Sequence, residues 1–339
     1  MRLRSLLPLL AVAGFSVGCT ENPTLAGVNP PGLNVGSLVV ARTEFFLGNQ
    51  LGGPRQIVVD PSSGASLTPA TWLPVGYPDQ GVHDLNFSRD GKWMAWIQTR
   101  GDPSAPCYQF VDYCQSLDRP TQELFVSRVG SGRATLLTPQ YNYDGPATFS
   151  PDGSRLVFLR TYYDGDQQMI TVGRDGENLE PVLQKTPRRR STPEWSPDGK
   201  SILYLQPDAE ALYVVTPDGK TNSALTANRS IGGPASWAPT GERIAVIARD
   251  RISGFGPDDI ALLVLDRTGQ EITRAPFGWQ GRSQRPVWSP DGTRIAYCQS
   301  EVVEDKYVRS VVRILDIATG ASTTITPQNF SDCNPIWRP

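Results

Sequence analysis

The strongest constraint on the fold of this chain is a five-residue phrase that recurs along it. WSPDG stands at residues 195–199 and again at 288–292, with variants FSRDG at 87–91, FSPDG at 149–153 and WAPTG at 237–241, and a shortened IWRP at 336–339. Counted at the residue after each aromatic (Ser88, Ser150, Ser196, Ala238, Ser289, Arg338), the intervals are 62, 46, 42, 51 and 49. Repetition at such a period marks a stack of similar units rather than one irregular core. Each full phrase runs on into an alternating strand, as in KWMAWI, SRLVFL, KSILYL, ERIAVI and TRIAYC. Two further strands around a Gly-containing turn follow, as in ALYVVTPDGKTNSALT and VRILDIATGASTTIT.

Each repeat therefore reads as a four-stranded antiparallel meander, which cannot cover both faces alone. Radial stacking covers them, and the expectation is an all-β, six-bladed β-propeller. The composition agrees: 32 Gly, 30 Pro and only 19% charged residues suit short strands joined by tight turns. Residues 36–70 read as three strands lacking an innermost one, and Asn334–Trp337 reads as an innermost strand lacking the rest. The C-terminal strand is thus expected to join the N-terminal blade and close the ring, making 36–339 one propeller domain. In the phrase itself, Pro presets φ, Asp suits the next turn position and Gly takes the left-handed one. The aromatic is expected to wedge between blades, contributing roughly 2–3 kcal/mol by burial.

Residues 1–18 read as a signal peptide: Arg2 and Arg4 precede the apolar run Leu6–Phe15, which is too short to span a bilayer, and small residues lead to Cys19. Gly18-Cys19 resembles a bacterial lipobox, with Ser16 where that motif prefers Leu. The resemblance implies lipidation of Cys19, export, and outer-membrane anchoring on the periplasmic side or at the cell surface. Residues 19–35 read as the anchor cysteine and a flexible tether. The four other cysteines form an even set in an oxidising compartment, and the expected bridges are Cys107–Cys114 and Cys298–Cys333.

The aromatic-Ser-Pro-Asp-Gly phrase and its following strand resemble the propeller repeat of the TolB family, the periplasmic component of the Tol-Pal envelope system, over nearly everything after residue 36. The same repeat occurs in the propellers of prolyl-oligopeptidase-type peptidases. TolB proper carries an α/β domain before its propeller, and only a tether is expected here.

Catalytic signals are sparse. Gly14-Phe15-Ser16-Val17-Gly18 fits a nucleophile-elbow pattern but lies in the signal segment. His83 is the single histidine, too few for a multi-histidine metal site. The Asp-rich turns at 162–167 and 256–259 lack the carboxylate spacing of a calcium loop. These observations predict a non-enzyme without metal or cofactor. A net charge of −2 gives no reason to expect a nucleic-acid partner, and Arg188–Arg190 reads as a solvated loop.

Length variation concentrates on the face opposite the motif turns, which marks that rim for binding. Tyr108, Tyr162 and Tyr163 fall there, with Tyr141, Tyr143 and Trp279 on the links between blades. Strand alternation places Asn86, Thr148, Glu194, Ser236, Val287 and Ile336 along a central channel. Two residues earlier, Asp84, Pro146, Thr192, Pro234, Arg285 and Asn334 are expected nearer the variable face, with His83 beside Asp84. The candidate ligand-binding set is His83, Asp84, Glu194, Arg285, Asn334 and the rim aromatics. The expected role is a monomeric, membrane-tethered scaffold for an envelope protein, and the alternative is a glycan-binding or glycan-active propeller.

Overall fold

The computed structural model describes residues 36–46, 49–63, 66–69, 82–100, 121–131, 133–138, 143–162, 165–186, 192–206, 211–226, 231–249, 260–276, 285–303 and 307–339. Among them are twenty-five strands and no helix. Accordingly, no helix of the described residues is long and apolar enough to cross a membrane.

The chain opens with β1 (Leu38–Phe46), β2 (Asn49–Val59) and β3 (Ser66–Pro69). A nine-stranded sheet follows, made of β4 (Val82–Phe87), β5 (Trp93–Arg100), β6 (Thr121–Arg128), β7 (Ala134–Leu136), β8 (Tyr143–Asp144), β9 (Thr148–Phe149), β10 (Arg155–Thr161), β11 (Gln167–Gly173) and β12 (Glu180–Thr186). Next come two four-stranded sheets. One holds β13 (Glu194–Trp195), β14 (Ile202–Gln206), β15 (Ala211–Val215) and β16 (Asn222–Ala224); the other holds β17 (Ile231–Trp237), β18 (Arg243–Arg249), β19 (Ile260–Asp266) and β20 (Glu271–Pro276). A further sheet comprises β21 (Val287–Trp288), β22 (Arg294–Val303), β23 (Tyr307–Asp316) and β24 (Ser322–Thr324). Finally β25 (Phe330–Trp337) returns to the start and pairs with β1, giving the sheet order β25-β1-β2-β3.

The repeat pattern predicts six separate four-stranded sheets, and two of them are fused instead. β8 pairs in parallel with β6 through Gln122 and Tyr143, and antiparallel with β10 through Asp144 and Arg160. A buried ion pair fixes β8 on β10. Arg160 Nε and Nη2 donate to the two oxygens of Asp144 at 2.7 and 3.1 Å, and both side chains are buried.

The core consists of six apolar clusters, each with one motif aromatic: Phe87, Phe149, Trp195, Trp237, Trp288 or Trp337. Each cluster draws side chains from two successive repeats. Around Trp237, for instance, Leu203, Leu205 and Leu212 of one sheet meet Ile244, Val246 and Leu263 of the next. The Trp337 cluster joins Leu38, Val40 and Val59 of the first sheet to Ala296, Val312 and Ile314 of the last four-stranded unit. A wedge role for the aromatics thus matches their burial. Cys298 on β22 and Cys333 on β25 cross the same boundary as a disulfide, with Cα atoms 5.3 Å apart, as the pairing of the remaining cysteines predicts.

Candidate functional site

The site is built on the motif turns, whose wording has a hydrogen-bond cause. Ser88, Ser150, Ser196 and Ser289 each donate their hydroxyl to the Asp two residues on, at 2.5–2.6 Å. The same oxygen accepts the backbone N–H five residues on, at 2.9–3.0 Å, where the return strand begins. These hydroxyls hold the carboxyls of Asp90, Asp152, Asp198 and Asp291 below the usual carboxylate range. The closing glycines have φ between 66° and 78°, the left-handed region predicted for them. The turns therefore form a rigid rim.

Behind that rim lies a cavity of about 320 Å³. All six residues predicted from strand alternation, Asn86, Thr148, Glu194, Ser236, Val287 and Ile336, line it. Three of the polar ones, Asn86, Thr148 and Glu194, tie successive repeats together. Asn86 Nδ2 donates to the Ala147 carbonyl at 3.1 Å, Thr148 Oγ1 to the Pro193 carbonyl at 2.8 Å, and the Trp237 N–H donates to Glu194 Oε2 at 3.3 Å.

Glu194 and Arg285 form the charged feature of the wall. Arg285 Nη1 lies 3.5 Å from Glu194 Oε2, with the side chains 17% and 19% exposed. That nitrogen makes no hydrogen bond among the described residues. Burial pushes the Glu194 carboxyl up to about 7, opposed by the Arg285 charge and the Trp237 N–H. The wall thus carries a carboxyl that changes charge near neutrality beside a guanidinium whose Nη1 is buried.

Other predicted site residues fare differently. Asp84 and Asn334 do not line the cavity, although Arg285 at the corresponding repeat position does. Alternation fails there because the innermost strands bulge. Pairing slips between His83 and Asn86, and between Cys333 and Ile336, with Asp84 and Asn334 at φ 55° and 50°. His83 pairs with Ile97 through its backbone, and its side chain lies outside the described residues. Tyr162 donates its hydroxyl to Gln168 at 3.0 Å in the β10–β11 turn, and Tyr143 is part of β8. Cys19, Cys107, Cys114, Tyr108, Tyr141, Tyr163 and Trp279 lie outside the described residues.

Sequence reasoning missed two further devices. Thr138, Thr226 and Thr326 each accept, at 2.8–2.9 Å, the backbone N–H of a residue 14 positions earlier. Their signal is the Thr that closes three of the five second half-units. The other is Arg89, in the position that Pro holds in the other motif copies, whose guanidinium reaches the Pro197 and Pro239 carbonyls.

Sheets packed in sequence around a shared cavity make this a β-propeller, and its likeness to solved structures narrows the type. TolB from Acinetobacter baumannii superposes over 90% of this chain and 67% of that one, with a TM-score of 0.66 at 13% identity. A putative TolB from Agrobacterium tumefaciens gives 0.52 at 13% identity over 90% of this chain and all of that one. The fold is a TolB-like propeller. No family model matches the chain.

Sequence relatives correct one expectation. Dipeptidyl-peptidase 5 of Trichophyton equinum is 24% identical over 243 residues, 58% of this chain and 32% of the relative. A Bacillus subtilis peptidase, YuxL, is 22% identical over 153 residues, 38% and 22% of the two chains. Puromycin hydrolase shares the fold at a TM-score of 0.53 and 17% identity, over 88% of this chain and 48% of that one. The prediction of a non-enzyme does not stand beside relatives that are peptidases. It rests on motif absence, and the matched relatives show that this repeat travels with catalytic proteins. The chain spans about a third or less of the length of those peptidases, and 55% of an Agrobacterium fabrum relative to which it is 26% identical over 46% of its own length.

Proposed function

We propose that this chain is a six-bladed propeller, closed by β25, that binds a polypeptide segment in its central cavity. Support for closure comes from the β25–β1 pairing, the Trp337 cluster and the Cys298–Cys333 bridge, which all join the two ends of the sheet series. The observation that carries the binding role is a cavity of about 320 Å³ whose wall holds the partly exposed, oppositely charged pair Glu194 and Arg285. A polypeptide offers carbonyls, amides and charged side chains that match a wall carrying both a carboxyl and a guanidinium. The peptidase relatives indicate the same ligand class. The glycan alternative rests on the rim aromatics, of which Tyr108, Tyr141, Tyr163 and Trp279 lie outside the described residues and Tyr162 commits its hydroxyl to Gln168.

In this reading residues 1–18 direct export, lipid on Cys19 holds the chain at the outer membrane, and residues 36–339 form the binding domain. The partner is an envelope protein. Crosslinking in intact cells, comparing wild type with Arg285→Ala, tests the role. Polypeptide crosslinks at the cavity mouth that vanish in the variant are expected. Binding to a glycan array, with no polypeptide captured, would overturn the reading. Cys19→Ser is expected to move the chain to the soluble fraction, since a polar tether offers no other anchor.

A further inference from the structure

The rim of motif turns packs proline on glycine at three successive boundaries. A Cβ added at Gly199, Gly241 and Gly292 would lie within 3.6–3.7 Å of Pro151, Pro197 and Pro239 respectively, so the Pro of one repeat packs on the Gly of the next. At Gly153 the corresponding neighbour is Ser88, because Arg89 replaces the proline and its side chain leaves the rim. Its course has a clear destination. Nη1 donates to the Pro197 carbonyl at 3.1 Å and Nη2 to the Pro239 carbonyl at 3.0 Å, two and three repeats further along the chain. Arg89, Pro197 and Pro239 all line the cavity. An exposed arginine thus lies across the cavity mouth, held by two carbonyl oxygens.

These acceptors define a chemistry. Two carbonyls spaced to take both terminal nitrogens of one planar guanidinium favour arginine over lysine, whose ammonium is a single point donor. The turn itself does not need Arg89, since Pro occupies the equivalent position elsewhere and presets the same φ.

We propose that the turn-side mouth is a guanidinium-recognition site with Arg89 as its resident occupant, and that an arginine of the bound segment takes its place. The ligand half of this inference rests on the polypeptide reading above; the resident half does not. An internal occupant reduces apparent affinity for any competitor by the fraction of time it holds the site. Emptying the site therefore strengthens binding of an external guanidinium.

The test uses Arg89→Pro, which restores the rim motif, with Arg89→Met as a second variant of similar reach. N-acetyl-L-argininamide is titrated calorimetrically into the whole chain, with the lysine and citrulline analogues as controls. Binding about tenfold tighter in both variants than in wild type is expected, with the lysine and citrulline analogues binding more weakly than argininamide. Equal or absent argininamide binding in all three proteins would overturn the proposal. So would a drop in melting temperature in both variants without gained binding, which would make Arg89 a structural tie. Gained argininamide binding, combined with failure to capture any polypeptide in cells, would keep the site and discard the polypeptide reading.

Discussion

Two carboxylate–guanidinium pairs in this molecule use the same chemistry to opposite ends. Asp144 and Arg160 meet through two hydrogen bonds, at 2.7 and 3.1 Å, with the side chains 0% and 5% exposed. Glu194 and Arg285 meet through one 3.5 Å approach at the cavity wall. In the first pair, burial pushes the Asp144 carboxyl upward while Arg160 pulls the other way, and Arg160 also lies 5.4 Å from the Phe158 ring centre. Two parallel hydrogen bonds lock the first pair. The second pair makes a single longer approach and lines the cavity. The first is a structural joint, and the second is the feature on which the proposed role rests.

The comparison breaks most readily at the joint. Asp144→Ala leaves Arg160 buried and uncompensated, a loss of about 3–5 kcal/mol that denaturant unfolding would register. If this substitution cost no more than a surface change, the distinction between the pairs would collapse. The disulfide sets an independent scale, because it ties the first sheet to the last without involving either pair. Cys333→Ser is expected to cost about 2–4 kcal/mol under oxidising conditions and nothing after reduction of the wild type.

Glu194 sharpens the contrast through pH. Its folded-state value of about 7 lies above the ordinary 4.5, so the native state holds the extra proton between those values. Stability from this group is therefore complete below pH 4.5 and lost as pH rises through 7. Glu194→Gln removes that dependence, leaving the variant more stable than wild type at about pH 8 by at most roughly 3 kcal/mol. Its open face toward the cavity keeps the gain below that ceiling. An unchanged stability–pH profile would mean that the carboxyl is fully solvated. The smallest effect belongs to the rim: Ser196→Ala removes one hydroxyl clamp of Asp198 and should cost about 1 kcal/mol in thermal unfolding.

Much of this architecture is legible in the sequence. Period, turn wording and strand alternation locate the six aromatic wedges and the six cavity-lining residues, because backbone periodicity controls both. Alternation fails at Asp84 and Asn334, where a bulge inserts a residue that no period-2 pattern announces. The β8 bridge is invisible for a different reason. Asp144 and Arg160 are single charges 16 residues apart, and only the folded sheets show that they share one buried space. Arg89 stands in plain view as the copy lacking proline, yet its meaning depends on carbonyls 108 and 150 residues away.

The pairing of β25 with β1 also governs the order of assembly. β1 ends at Phe46, whereas its second neighbour begins only at Phe330. One flank of β1 stays an open edge until the far end of the polypeptide arrives, and contacts that distant in sequence form slowly. During that delay a β25 from another copy offers identical backbone partners, so concentrated refolding favours strand-exchanged dimers. Formation of Cys298–Cys333 inside one molecule or between two then fixes the outcome covalently.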